Sequence, residues 1–206
     1  MSIKVKICGM REPDNILDVG ELQPDFMGFI FYPQSPRYVP DDFRLPASLP
    51  SSIKRVGVFV NEKHEKILNT VNNHALNFVQ LHGNESVECC KELKQAGVGV
   101  IKVFSMGDSF DFSTTNSYKD DVDFFLFDTI GKFYGGNASA FDWNLLEQYD
   151  QEIPFFLSGG ISLENIKDIS KLSGMNLYAV DVNSSLEINP GVKNIDKVKE
   201  LLKNLK

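Results

Sequence analysis

Lys4-Val5-Lys6-Ile7-Cys8-Gly9-Met10 reads as a short apolar strand that ends on a thiol followed by glycine. Nearly the same grammar returns at Phe124-Phe125-Leu126-Phe127-Asp128-Thr129, where the apolar run ends on a carboxylate. Behind the first run, residues 13–21 open on proline and read as a helix. From there to the end of the chain, apolar runs alternate with amphipathic or charged segments, the signature of repeated βα units around a parallel sheet. Eight strands are expected, at residues 3–9, 25–31, 54–60, 77–82, 99–104, 123–129, 154–158 and 177–182. Most are continuous apolar runs, as strands covered on both faces require. Helices are expected at 13–21, 62–74, 85–96, 143–149, 163–172 and 195–205. The proline-rich stretch 32–40 calls for a long loop with a short helix near 41–49, and the Ser/Thr/Asp-rich stretch 105–119 for a partly helical one.

Eight such units predict a single (β/α)₈ barrel domain over residues 1–206, at the lower end of that fold's range of about 200 to over 400 residues. The competing architecture, an open doubly wound sheet, lacks its G-x-G-x-x-G fingerprint, because Cys8-Gly9-Met10-Arg11 does not supply it. The chain carries 28 acidic against 21 basic residues, a net charge of −7, which argues against nucleic acid as a partner. No run approaches the about 20 apolar residues that cross a bilayer, and the start of the chain lacks the order of a signal peptide, so a cytoplasmic protein is expected. Three cysteines, Cys8, Cys89 and Cys90, offer neither a disulfide framework nor metal-ligand spacing. No metal site is expected.

Strand residues alternate faces, so Lys6 and Cys8 point into the barrel while Val5 and Ile7 meet helices. The same parity gathers Gln80 with His82, and Leu126 with Asp128, so that a polar set converges on one mouth. A thiol is only a few per cent thiolate at neutral pH, and Lys6 would raise that fraction. Cys8 can equally be a small buried hydrophobe, and Asp128 a cap for the loop it begins. Gly159-Gly160 after strand seven and Asn183-Ser184-Ser185 after strand eight stand where many barrels hold a phosphate on backbone N–H groups. Gly135-Gly136 adds a loop able to close over a ligand. Arg37, on the long loop, is either a two-point clasp for a carboxylate or a solvated surface arginine. His82 either carries charge or satisfies a carbonyl. His64 and His74 fall on a polar helix face, Cys89 and Cys90 read as inert, and Trp143 as a packing anchor.

With Lys6-Ile7-Cys8-Gly9-Met10, Ser35-Pro36-Arg37-Tyr38-Val39, Gln80-Leu81-His82-Gly83, Phe127-Asp128-Thr129, Gly135-Gly136 with Phe141-Asp142-Trp143, Leu157-Ser158-Gly159-Gly160-Ile161 and Pro190-Gly191-Val192-Lys193 in this order, the chain resembles the phosphoribosylanthranilate isomerase family of tryptophan biosynthesis. The resemblance implies a cofactor-free Amadori rearrangement of a small phosphorylated aminoaldose, with Asp128 as general acid and Cys8 as general base. It implies substrate contacts from Arg37, Gln80, His82, Gly135, Gly136 and Asp181, with Arg37 on the anthranilate carboxylate and Asp181 on a sugar hydroxyl. Phosphate contacts fall to Gly159, Gly160, Asn183, Ser184 and Ser185, and the chain is expected to act as a monomer. Asn137-Ala138 and Asn183-Ser184-Ser185-Leu186-Glu187 depart from the family's usual wording. An ordinary Asp is ionised and an ordinary Cys protonated at pH 7, so this pair must either invert both pKa values or work through a minor protonation state. Another sugar-phosphate isomerase on the same barrel, or a non-catalytic binder of a phosphorylated ligand, are the competing readings. Indole-glycerol-phosphate synthase is disfavoured, since its lysine and glutamate have no clear match.

Overall fold

Runs of Val, Ile, Leu and Phe too short for helices pair side by side into eight parallel strands, here in a computed structural model that describes residues 3–40, 42–107, 109–130 and 140–205. The strands are β1 (Lys4–Ile7), β2 (Phe26–Ile30), β3 (Lys54–Phe59), β4 (Phe78–Leu81), β5 (Gly99–Met106), β6 (Phe124–Thr129), β7 (Phe155–Leu157) and β8 (Leu177–Val182). They follow chain order around a closed barrel, and β1 closes it by pairing with both β2 and β8, so Lys6 sits between Phe26 and Asp181. All eight expected strands are present, most a residue or two shorter than the apolar run that announced them.

Strand parity divides the core into two layers. Val5, Ile7, Phe29, Phe125 and Phe127 face outward and pack with Ile16, Val19, Leu93, Val198 and Leu201 of the surrounding helices. Phe26, Val56, Ile101, Val103, Leu126, Phe156 and Ala179 fill the barrel. At its N-terminal end one extra residue of β8, Tyr178, bulges against β7, and its ring meets those of Phe26, Phe124 and Phe156 at 6.2, 4.6 and 5.8 Å. That end is plugged with aromatic rings, which leaves the C-terminal mouth for chemistry.

Four α-helices lie where periodicity put them: α1 (Pro13–Glu21), α2 (His64–His74), α3 (Val87–Gln95) and α4 (Ile195–Leu205). Other expectations need correction. Residues 143–149 and 163–172 form 3₁₀ helices, at Trp143–Gln148 and Ile166–Leu172. The stretch 105–119 is partly helical as expected: Phe112–Asp121 is 3₁₀, since Thr114 and Thr115 hydroxyls donate to the carbonyls of Asp111 and Phe112 and favour the tighter turn. No helix forms over 42–49. Pro40, Pro46 and Pro50 punctuate that stretch, and it folds as turns closed by Phe43 N–H to Pro40 O and Leu49 N–H to Pro46 O. His74 lies buried against the ring of Phe31, 5.1 Å between centroids, and not on a polar face. After β8 the chain makes an antiparallel hairpin, β9 (Glu187–Asn189) with β10 (Val192–Lys193), that the apolar pattern did not announce.

Candidate functional site

At the C-terminal mouth lies a cavity of about 380 Å³. Ten of the residues expected from sequence line it: Cys8 just past β1, Gln80 and His82 at the end of β4, Asp128 on β6, Gly159 and Gly160 after β7, and Asp181, Asn183, Ser184 and Ser185 from β8 and its loop. The thiol of β1 and the carboxylate of β6 therefore open onto one space.

Beneath them Lys6 is fully buried and donates to Gln80 Oε1 and to Asp181 Oδ2, each at 2.8 Å. Burial works against its ammonium, but Asp181 and Cys8, both within reach, outweigh that cost and hold its pKa above the ordinary lysine value. Each of the two acidic groups receives only part of this one cation. Burial pushes the Asp181 carboxyl up and Lys6 pulls it back in part. Burial likewise pushes the Cys8 thiol up, against the partial pull of Lys6 and Lys193. The thiolate is thus not the resting form, and of the two routes open to the sequence the structure supports the minor protonation state for Cys8. A Cβ at Gly28 would lie 2.7 Å from Cys8 Sγ, so glycine on β2 makes the room the sulfur occupies.

Asp128 divides its two oxygens. Oδ1 accepts the Thr129 backbone N–H at 2.9 Å, which is the capping use, and Oδ2 faces His82 Nε2 at 3.2 Å. Because Lys6 donates to Gln80 Oε1, the Gln80 amide N–H₂ is turned toward His82 Nδ1, 3.2 Å away. This network assigns Nδ1 as acceptor and places the ring proton on Nε2, aimed at Asp128. A continuous line of polar contacts thus runs from Lys6 through Gln80 and His82 to the Asp128 carboxylate.

The loops after β7 and β8 are held open by backbone geometry. Gly159 and Gly160 adopt φ of +84° and +65°, and a Cβ at Gly159 would lie 2.3 Å from Thr129 Oγ1. Ser185 Oγ donates to Ile161 O at 2.6 Å and ties the two loops together, and Asn165 Nδ2 donates to Gly160 O at 2.8 Å. Glycine-bearing backbone on two clasped loops lets N–H groups approach a small anion closely.

Arg37 is not a surface residue. It is 8% exposed, and the loop that carries it folds back along β2 through Val39 N–H to Ile30 O. Its Nε and Nη2 donate to Glu187 at 2.8 and 2.6 Å, and Lys193 Nζ donates to the same carboxylate at 2.8 Å. Burial alone would push the Glu187 carboxyl up, yet Arg37 and Lys193 hold it below the usual carboxylate range. Burial keeps Lys193 below the usual lysine value despite Glu187. Arg37 does not line the cavity with the ten residues above. Its side chain passes Gly9, whose hypothetical Cβ would lie 2.7 Å from Arg37 Cδ.

Sequence reasoning missed Ile30, Tyr32, Val58 and Val60, which make an apolar wall of the cavity. Parity at the ends of β2 and β3 carried that signal. It also missed Glu187 and Lys193, separated by a hairpin too short to read. Gly135 and Gly136 lie outside the described residues. Among the described residues no group of three His, Cys, Asp or Glu side chains could hold a metal ion.

The family model described as N-(5'phosphoribosyl)anthranilate (PRA) isomerase matches residues 5–204. A curated N-(5'-phosphoribosyl)anthranilate isomerase of Parabacteroides distasonis is 43% identical over 204 residues, covering 98% of this chain and 92% of the relative. That of Phocaeicola vulgatus is 42% identical over 202 residues, covering 98% and 97%. The crystal structure of phosphoribosyl anthranilate isomerase from Thermotoga maritima superposes with a TM-score of 0.88 at 38% identity, over 98% of each chain. A structure of such an isomerase in complex with reduced 1-(o-carboxyphenylamino)-1-deoxyribulose 5-phosphate superposes with a TM-score of 0.84 at 36% identity, again over 98% of each. On the match of the family model and these identities, the chain belongs to the N-(5'-phosphoribosyl)anthranilate isomerase family.

Proposed function

We propose that this protein converts N-(5-phosphoribosyl)anthranilate to 1-(2-carboxyphenylamino)-1-deoxyribulose 5-phosphate, a step of tryptophan biosynthesis. The observation that carries the reading is that Cys8 and Asp128, from strands three apart around the barrel, open onto one cavity that is also lined by the clasped loops of the two intervening strands, β7 and β8.

In this reading Asp128 protonates the furanose ring oxygen as the C1–O bond breaks, and the anthranilate nitrogen supplies electrons to form the Schiff base. The Cys8 thiolate then takes the C2 proton, and the C–H electrons neutralise the iminium to an enolamine. The enolamine takes a proton at C1 and loses one from the C2 hydroxyl, leaving the ketone. His82 steadies the acid from Nε2. Gln80 and His82 meet the sugar, as does Asp181, whose Oδ1 has no hydrogen-bond partner among the described residues. Gly159, Gly160, Asn183, Ser184 and Ser185 take the phosphate, and Ile30, Tyr32 and Val58 face the aryl ring. Arg37 takes the anthranilate carboxylate on the Nη1–Nη2 edge, since Glu187 engages the edge formed by Nε and Nη2. The reading extends to a cytoplasmic monomer. Its three free cysteines suit a reducing compartment, and no helix among the described residues is long and apolar enough to cross a membrane.

The test is a fluorescence assay with freshly generated substrate. Enzyme-dependent disappearance of the anthranilate adduct is expected. Decay at the spontaneous rate, with phosphate still bound, would make the protein a binder instead.

A further inference from the structure

Outside the cavity a buried ion pair, Lys102 with Glu85, serves no step above. Lys102 lies on β5 between two barrel-filling residues, Ile101 and Val103, and is 3% exposed. Its Nζ donates to Glu85 Oε2 at 3.0 Å, to Gly83 O at 2.7 Å and to Leu81 O at 3.3 Å. Leu81 and Gly83 are the two neighbours of His82. Glu85 completes the brace from the other side, accepting Gly83 N–H at 3.0 Å and Asn61 N–H at 2.8 Å, and Tyr118 OH donates to Glu85 O at 3.1 Å. None of Lys102, Glu85 and Tyr118 lines the cavity.

We propose that Lys102 and Glu85 form a positioning pair that fixes the backbone on both sides of His82 and so aims its Nε2–H at Asp128. The inference rests on the acid role given to Asp128. Taking a lysine and a glutamate out of water carries a desolvation penalty, and a well-packed apolar pair would often stabilise a core as well. What an apolar pair cannot do is hold the two carbonyls and the Gly83 N–H around His82 in fixed directions while tying them to the Asn61 N–H of the loop after β3. The Leu81 and Gly83 carbonyls bracket a single residue, and that residue's ring sits 3.2 Å from the Asp128 oxygen. A catalytic group displaced by about 1 Å loses about a hundredfold in rate, so anchoring this bend sets turnover without touching substrate.

Lys102→Met alone leaves Glu85 buried and unpaired and can cost the fold, so the deciding variant is Lys102→Met/Glu85→Gln, which removes both charges. Its melting curve checks the fold, and its turnover and imidazole ¹⁵N–¹H spectrum are read beside wild type. The three histidines are few enough to assign through loss of the His82 signals in His82→Gln. The double variant is expected to keep a cooperative melt and a near-normal KM, lose about a hundredfold in kcat, and lose the Nε2-protonated, slowly exchanging signature of His82. A wild-type kcat overturns the proposal, and so does an unchanged His82 spectrum. If wild type itself shows no isomerase activity, the function above fails, and the His82 spectrum alone decides whether the pair positions that ring.

Discussion

Replacing Lys6 by Met tests the polar floor of the barrel. Methionine nearly keeps the volume of the lysine stem, so the change removes an ammonium more than it opens a cavity. It breaks two hydrogen bonds of 2.8 Å and strands Asp181 in a buried site where its Oδ1 already has no partner among the described residues. Breaking a buried ion pair from one side costs about 3–5 kcal/mol. Asp181 can escape part of that by taking a proton, and protonating a carboxyl of ordinary pKa near 3.9 at pH 7 costs about 4 kcal/mol, which caps the loss. The sign with pH follows. In the variant the folded-state pKa of Asp181 rises further above its unfolded value, so the penalty is largest at neutral pH and shrinks as pH falls toward about 4. At pH 5 the cap is about 1.5 kcal/mol. Urea unfolding followed by the fluorescence of Trp143, the one tryptophan, at pH 7 and pH 5 reads both values. Adding Asp181→Leu should restore most of the lost stability, since removing both partners is often near neutral. A loss under about 1 kcal/mol at pH 7, the size of an exposed pair, refutes the reasoning, as does an equal loss at both pH values.

Three further outcomes are expected. Alkylation of Cys8 by iodoacetamide, followed by peptide mass spectrometry, should accelerate about tenfold per pH unit through pH 9 without levelling, because burial holds the thiol above its ordinary pKa; a plateau near pH 7 contradicts this. Arg37→Ala should raise KM with a smaller change in kcat, and an unchanged KM removes Arg37 from the carboxylate role. Gly159→Ala forces a Cβ to within 2.5 Å of the Thr129 backbone nitrogen at a φ of +84°, and should cost about 1–3 kcal/mol of stability while weakening inorganic phosphate binding by calorimetry. Phosphate affinity equal to wild type would take this glycine out of the anion loop.

What could be read in the chain follows from how its signals are written. Strand positions and inward parity were legible because a barrel strand is a continuous apolar run, and Lys6, Cys8, Gln80 and Asp128 stand out within such runs as the exceptions. The 3₁₀ helices at Trp143–Gln148 and Ile166–Leu172 look like α-helices to a periodicity reading, since six or seven residues make only about two turns, too few apolar positions to separate an i+3 repeat from an i+3/i+4 one. The burial of Arg37 was invisible because its partner Glu187 lies 150 positions away on a hairpin of two very short strands. Lys102 left no trace for a similar reason. A lysine in an apolar strand announces a partner but not which one, and Glu85 lies before α3, where it reads as an ordinary helix-start acid. Depression of the Cys8 pKa by Lys6 was foreseeable in sign but not in outcome, because the desolvation that outweighs it depends on how completely the barrel closes over the sulfur.

The central claim is that Cys8 and Asp128 act as base and acid on one substrate. The most direct measurement is the single-turnover disappearance of anthranilate-adduct fluorescence with Cys8→Ala, Asp128→Asn and the double variant, each checked for a wild-type melt. Each single change is expected to slow the reaction by about 10²–10⁴-fold, with the double variant falling well short of the product of the two losses because the groups serve one sequence of proton transfers. Near-wild-type turnover in either folded single variant would contradict the account.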